Sequence, residues 1–161
     1  MNYQIKSDTE YDMHPFLMGK KLHDIADDAY KLGSPWHLFQ FHDTLRSTQN
    51  ICLYVIQESI SGEWCGFVLG SRAPDNFDIY MIAILKEYQG QGLGTKLIEY
   101  IQQEANNINA SITLEVRISN DVARYVYSRC GFEEMGQIKN YYRRPKEDAI
   151  RLVWSKNKFR E

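Results

Sequence analysis

The sequence predicts an α/β protein: one three-layer domain with a mixed central sheet flanked by helices. Strand-like alternation and helix-like spacing of apolar residues follow one another in the order β, α, α, β, β, β, α, β, α, β, β. That order mixes a meander with crossover connections, as a mixed sheet does. The length of 161 residues fits one core, and 43% hydrophobic with 25% charged residues is the composition of an ordinary globular chain. The domain is expected to occupy 1–161.

Tyr3 and Ile5 alternate with polar neighbours as a short strand does. Asp8 or Thr9 then caps a long helical region toward Leu32, interrupted by Pro15 and Gly19 and ended by Gly33-Ser34-Pro35. Trp36 lies in the connection to a short helix around His42 to Ser47. Ile51 to Gln57 and Trp64 to Ser71 are rich in β-branched and aromatic residues and form a hairpin around Ser61-Gly62. Phe77 to Leu85, after the turn Pro74-Asp75-Asn76, is the third strand of this meander. Leu93, Leu97, Ile98 and Ile101 recur at helical spacing up to about Ala105. Ile112, Leu114, Val116 and Ile118 alternate with Thr113, Glu115 and Arg117, a strand with one apolar face. Asn120 to Cys130 is the last helix, and Gly131 stands where a helix end favours a residue tolerant of positive φ. Phe132 to Lys139 and Ala149 to Trp154 are the final strands.

The net charge of −2 provides no global basic field, so nucleic acid is not an expected partner. Cys52, Cys65 and Cys130 are odd in number and lack C-x-x-C spacing, which points to reduced thiols and to no metal site. Met1 to Glu10 lacks the basic start and apolar run of a secretory signal, and no segment approaches about 18 uninterrupted apolar residues. A cytoplasmic protein without membrane contact is expected. His14, His23, His37 and His42 have no companion Ser or Cys motif and are read as surface residues without a catalytic role.

Gln89-Gly90-Gln91-Gly92-Leu93-Gly94-Thr95 places three glycines directly before a helix, where backbone N–H groups lack intrahelical partners. Such a turn cradles an anion, and the helix dipole adds roughly 0.3 to 1 kcal/mol of preference for negative charge. The expected ligand is a phosphate or diphosphate. The dinucleotide fingerprint G-x-G-x-x-G fits poorly, because the third glycine comes one residue early and a meander precedes it. A Walker A loop needs Gly-Lys-Ser/Thr, whereas the chain has Gly94-Thr95-Lys96.

Gln/Arg-x-x-Gly-x-Gly/Ala is matched in full by Gln89, Gly92 and Gly94, and it resembles the pyrophosphate-binding signature of the Gcn5-related N-acetyltransferases. The resemblance continues through Ile82-Ala83-Ile84, Leu114-Glu115-Val116-Arg117, Ser119-Asn120, Tyr127-Ser128-Arg129-Cys130-Gly131-Phe132, Asn140-Tyr141-Tyr142 and Glu147-Asp148-Ala149-Ile150. This second set is similar to the bacterial ribosomal-protein-alanine N-acetyltransferases, which acetylate the N-terminal alanine of a small-subunit ribosomal protein. Residues 77–154 carry nearly all of it; earlier, only Pro35-Trp36 matches. Gly90 stands where that subfamily often has a basic residue, which removes one phosphate contact and leaves the backbone cradle intact.

The resemblance implies acetyl-CoA as cosubstrate, no metal, and a primary amine as acceptor. The acceptor is a protein N-terminus, with a ribosomal protein in view, or alternatively a small amine or a lysine; a coenzyme-binding sensor without turnover is the non-enzymatic alternative. Monomer and homodimer are both compatible. Ile82, Ala83 and Ile84 are implied to present backbone groups to the pantetheine and acetyl carbonyl, and Gln89, Gly90, Gln91, Gly92, Leu93, Gly94 and Thr95 to hold the pyrophosphate. Glu115 is implied as the general base, acting through a water or directly; as a bare residue it also reads as a solvated or Arg117-paired carboxylate. Tyr127 is implied to give a proton to the coenzyme sulfur, or it packs on Ala123 and Cys130, which share its helical face. Asn120 is implied to bond the coenzyme, or it caps its helix. Trp36, Tyr141 and Tyr142 either line the acceptor groove or simply pack. An N-terminal amine has a pKa of about 8 against about 10.4 for lysine, so neutralising them at pH 7 costs about 1.4 and about 4.6 kcal/mol. A modest base suffices for the former.

Overall fold

The structure, a computed structural model, describes residues 1–47 and 50–156, so the last residues of the expected domain lie outside it. The described strands, β1 (Tyr3–Ser7), β2 (Ile51–Glu58), β3 (Trp64–Arg72), β4 (Asn76–Ile84), β5 (Ser111–Arg117), β6 (Glu133–Arg143) and β7 (Lys146–Trp154), form one seven-stranded sheet in the order β1-β2-β3-β4-β5-β7-β6. The ladder between β4 and β5 is parallel and those of β1–β2, β2–β3, β5–β7 and β6–β7 are antiparallel, so the sheet is mixed as the sequence predicts. Contacts group the chain into two compact units, with β4 and the helix Leu93–Asn107 running from one into the other.

The first unit comprises Met1–Arg72 and Met81–Leu97. It holds β1 (Tyr3–Ser7), α1 (Pro15–Ala29), α2 (Leu38–Arg46), β2 (Ile51–Glu58) and β3 (Trp64–Arg72), with the end of β4 (Asn76–Ile84) and the start of α3 (Leu93–Asn107). Its core is Met18, Leu22, Ile25 and Ala26 from one stripe of α1, Phe41 from α2, and Leu53, Val55, Phe67, Leu69, Met81 and Ala83 from the strands. Phe41 and Phe67 are fully buried, ring centroids 6.3 Å apart, and truncating either to alanine costs about 3–5 kcal/mol.

Helix α1 does not start at Asp8 or Thr9. Ser7 instead caps a 3₁₀ turn, Asp8–Glu10, accepting from the Thr9 N–H at 3.2 Å while Glu10 accepts from the Ser7 N–H at 2.8 Å. The helix begins at Pro15 with His14 as its cap, the Nδ1 accepting from the Phe16 N–H at 3.1 Å. Pro15 therefore opens the helix at its first position, where no N–H is needed. Helix α2 likewise starts before His42, at Leu38.

The second unit comprises Ala73–Tyr80 and the described residues from Ile98 onward. It holds the start of β4, most of α3, β5 (Ser111–Arg117), α4 (Asp121–Arg129), β6 (Glu133–Arg143) and β7 (Lys146–Trp154). Ile112, Leu114 and Val116 of β5 are buried with Ile98, Ile101 and Ala105 of α3, which leaves Thr113, Glu115 and Arg117 on the opposite face of β5. Strands β6 and β7 extend beyond the expected limits and meet as a hairpin at Arg143↔Lys146. Helix α4 ends in a Schellman motif, with the Phe132 N–H on the Tyr127 carbonyl (3.0 Å), the Gly131 N–H on the Ser128 carbonyl (3.1 Å) and Gly131 at φ +88°.

Candidate active site

In the first unit, Gln89 to Gly92 link a 3₁₀ turn (Lys86–Tyr88) to α3. Gly90 and Gly92 adopt φ of +78° and +79°, a region that costs L-residues roughly 1–2 kcal/mol. A Cβ added at either meets no atom within 4 Å, so conformation and not crowding selects glycine, and the space above the turn is open. The Lys96 N–H bonds to the Gly92 carbonyl at 3.1 Å, which places the N–H groups of Leu93, Gly94 and Thr95 ahead of that first helical bond. These are the features an anion cradle needs.

The two glutamines of the motif hold the turn. Gln89 Nε2 donates to the carbonyls of Ile84 (2.8 Å) and Ala29 (3.3 Å), while Gln91 Oε1 accepts from the Tyr3 hydroxyl at 2.9 Å. The Tyr30 hydroxyl donates to the Ile82 carbonyl at 2.8 Å. Ile82 and Ile84 are thus fixed in place through their carbonyls. The parallel ladder from β4 to β5 runs only from Asn76↔Ser111 to Ile79↔Leu114, so Ile82 to Ile84 have no register partner in β5.

In the second unit, Glu115 exposes only 15% of its side chain and accepts from Arg151 Nη1 at 2.9 Å. Burial pushes its carboxyl up, the charge of Asp78 pushes it further, and Arg151 opposes both. Arg117 is not its partner: that guanidinium donates to Glu147 (3.3 Å) and to the carbonyls of Pro145 and Arg144, and lies 4.2 Å from the Tyr142 ring centroid. Glu147 also accepts from the Ser119 N–H at 2.7 Å.

A bulge in β6 brings two tyrosines toward this carboxylate. Register slips between Ile138 and Tyr142, Asn140 sits at φ +53°, and Asp148 accepts from the Asn140 N–H at 2.8 Å and from Gln137 Nε2 at 2.6 Å. Those donors hold the Asp148 carboxyl below the usual range. The rings of Tyr141 and Tyr142 lie 5.0 Å apart, edge to face. Burial, then the charges of Glu115 and Asp78, raise the Tyr141 phenol, while burial, then Tyr141, lifts that of Tyr142 to about 12.

Tyr127 packs edge-to-face on Phe132 at 5.4 Å, and burial, with smaller contributions from Tyr142 and Cys130, raises its phenol well above the ordinary value. It remains protonated at neutral pH, and among the described residues its hydroxyl has no hydrogen-bond partner. Asn120 caps α4, its Oδ1 accepting from the Ala123 N–H at 3.2 Å. Glu115, Tyr127, Tyr141 and Tyr142 are linked electrostatically within one unit, and the glycine turn joins Ile82 to Ile84 in the other. Trp36 packs on Phe41 at 5.2 Å, against the core.

Sequence reasoning missed Asp78, Arg151 and the tethering role of Asp148. Asp78 and Arg151 each alternate with buried neighbours, Phe77 and Ile79, Ile150 and Leu152, which marks a charge held on the face of a packed strand. That signal was available; the registers that pair Arg151 with Glu115 and Asp78 with Thr113 were not.

A family profile described as "Acetyltransferase (GNAT) family" matches residues 19–132. The chain is 32% identical over 129 residues to a putative bS18-alanine N-acetyltransferase of Bacillus subtilis, covering 79% of this chain and 83% of that protein. It is 32% identical over 126 residues to the bS18-alanine N-acetyltransferase of Escherichia coli, covering 76% and 85%. The crystal structure of the Escherichia coli ribosomal-protein-S18-alanine enzyme superposes with a TM-score of 0.80 at 24% identity, over 96% of this chain and 94% of that one. A mixed sheet entering a glycine turn and a helix, together with these matches, defines an acyltransferase fold. The chain belongs to the GNAT family and is an N-acetyltransferase.

Proposed function

We propose that this enzyme moves the acetyl group of acetyl-CoA onto the N-terminal α-amine of a protein, with an alanine N-terminus of a ribosomal protein as the first candidate. The observation that carries the reading is Glu115: a largely buried carboxylate whose proton affinity is raised by burial and by Asp78, and whose charge is felt by Tyr141. A base of moderate strength matches an α-amine, which needs only about 1.4 kcal/mol to be neutral at pH 7. The relatives named for alanine N-acetylation support the choice of acceptor.

Acetyl-CoA supplies a thioester whose carbonyl carbon a neutral amine can attack. The open turn at Gly90 and Gly92 and the N–H groups of Leu93, Gly94 and Thr95 fit its pyrophosphate. Gln89 fixes that turn to Ile84, and Gln91 fixes it to Tyr3. Ile82 to Ile84 present backbone groups to the pantetheine, and Asn120, its Oδ1 engaged by the helix, retains its amide nitrogen for the coenzyme. Glu115 takes the proton leaving the amine. As the C–N bond forms and the C–S bond breaks, Tyr127 gives its proton to the thiolate, a role suited to a phenol held protonated.

The test is incubation with acetyl-CoA and a panel of N-terminal alanine peptides, lysine peptides and small amines, following thiol release and product mass. Fastest release with alanine peptides, acetylated at the α-amine, is the expected result. Preference for lysine or a small amine overturns the acceptor assignment, and coenzyme binding without release overturns the enzymatic one.

A further inference from the structure

We propose that Asp78 is an acceptor-binding residue: with Glu115 it forms a two-carboxylate seat for the acceptor's ammonium group, so that the amine arrives as a cation and loses its proton in place. The inference rests on the reading of Glu115 as the base. Asp78 pairs with Thr113 in the β4–β5 register, and Thr113 and Glu115 line one face of β5. Thr113 Oγ1 donates to Asp78 Oδ1 at 3.1 Å and itself accepts from Asn76 Nδ2 at 3.0 Å. Because Asn76 supplies a donor, the single threonine proton is directed at Asp78, and the carboxylate is fixed in orientation.

Its second oxygen is available. Among the described residues Oδ2 of Asp78 has no hydrogen-bond partner, while the side chain is only partly exposed. A tethered carboxylate with one bare oxygen is acceptor capacity that an ammonium group, with three donors, can fill.

The charge balance favours a cation. Among the described residues the groups facing Glu115 are Asp78 on β4, Arg151 on β7, and Tyr141 and Tyr142 on β6, so two carboxyl groups meet one guanidinium. Arg117 is committed to Glu147, to the Arg144 and Pro145 carbonyls and to the Tyr142 ring. A protonated amine supplies the missing positive charge. Proton transfer to Glu115 then converts it to the nucleophile and leaves the Glu115 carboxyl neutral.

The experiment is steady-state kinetics of Asp78→Asn with the best acceptor of the panel, Glu115→Gln being assayed alongside. Asparagine keeps the Thr113 contact through its amide oxygen and removes the charge. The amine KM is expected to rise about tenfold or more, with the acetyl-CoA KM unchanged. The acidic limb of kcat/KM should also move to lower pH, since Asp78 no longer pushes Glu115 upward. An unchanged amine KM, or equal rises in both KM values, overturns the proposal and leaves Asp78 a strand-pairing residue. If Asp78→Asn fails to fold, Thr113→Val frees the carboxylate without removing it; a smaller rise in amine KM is expected, and no rise overturns the proposal. Failure of the base assignment is separate: it shows as undiminished kcat in Glu115→Gln, whatever Asp78→Asn does.

Discussion

Glu115 and Arg151 are register partners across the β5–β7 ladder, with Arg151 Nη1 2.9 Å from Glu115 Oε1. The pair sets the strength of the proposed base. Burial and Asp78 both raise the Glu115 carboxyl, and Arg151 draws it back. Its side chain is 46% exposed, so the ion pair adds at most about 1 kcal/mol of stability.

Arg151→Gln should therefore act on pH dependence more than on folding. Without the guanidinium the Glu115 carboxyl rises further, and the acidic limb of kcat/KM moves to higher pH. Activity at pH 6 falls more than activity at pH 8.5. A pH profile checks this, and a loss uniform across pH would mean that Arg151 only supports the strand.

Glu115→Gln should lower kcat by roughly 10²–10⁴-fold while the affinity for acetyl-CoA holds. Residual activity should climb with pH toward the amine pKa of about 8, where the acceptor loses its own proton. Stability moves the other way. A carboxyl raised by the fold contributes stability present below its unfolded pKa and lost as pH rises through its folded value. At pH 7 the ionised form opposes folding, so the glutamine variant should melt higher at pH 7 and not at pH 4. Tyr127→Phe, which keeps the ring on Phe132, should lower kcat with no matching change in Tm.

Most of the element order was legible because burial imposes period: β5 alternates and α3 repeats every three to four residues. Errors fell where burial is absent or punctuation ambiguous. Residues Lys139 to Arg143 and Lys146 to Asp148 lie in stretches of β6 and β7 in which no side chain is buried, so no alternation marks them. Pro15 can break a helix or open one, and only the His14 cap decides. At the candidate site, the glycine turn, Glu115 and Tyr127 were proposed from local motifs and the family resemblance they carry. Arg151 lies 36 residues from Glu115 and Asp78 lies 35 from Thr113, so their meeting depends on register, which sequence spacing does not state.

Gly92→Ala should separate coenzyme binding from acceptor binding. Its φ of +79° penalises alanine by about 1–2 kcal/mol although the added Cβ meets nothing. The turn then relaxes toward negative φ and its N–H groups lose their common aim. The acetyl-CoA KM is expected to rise several-fold with the amine KM unchanged. Gly136→Ala, also in open space but without a positive φ, is the control and should be neutral. Equal effects of the two substitutions would remove the argument from conformation.

Acid should unfasten the β6 bulge before it unfolds the core. Asp148 is held below the ordinary carboxylate range by the Asn140 N–H and by Gln137, and Glu147 by Ser119 and then Arg117. Carboxyls lowered by the fold contribute stability present above their unfolded pKa of about 4, and that contribution is lost as pH falls through the folded values. Protonating Asp148 weakens its hold on Asn140, the residue at φ +53° that precedes Tyr141. Tm of the parent protein should drop as pH falls below the unfolded carboxylate range of about 4. Asp148→Asn with Glu147→Gln should start lower at pH 7 and fall less on acidification, because those groups no longer titrate. Asp148→Asn alone should raise the amine KM at pH 7, as Tyr141 loses its tether. Parallel Tm curves for variant and parent would place the acid-sensitive groups elsewhere, and an unchanged amine KM would free Tyr141 from any part in acceptor binding.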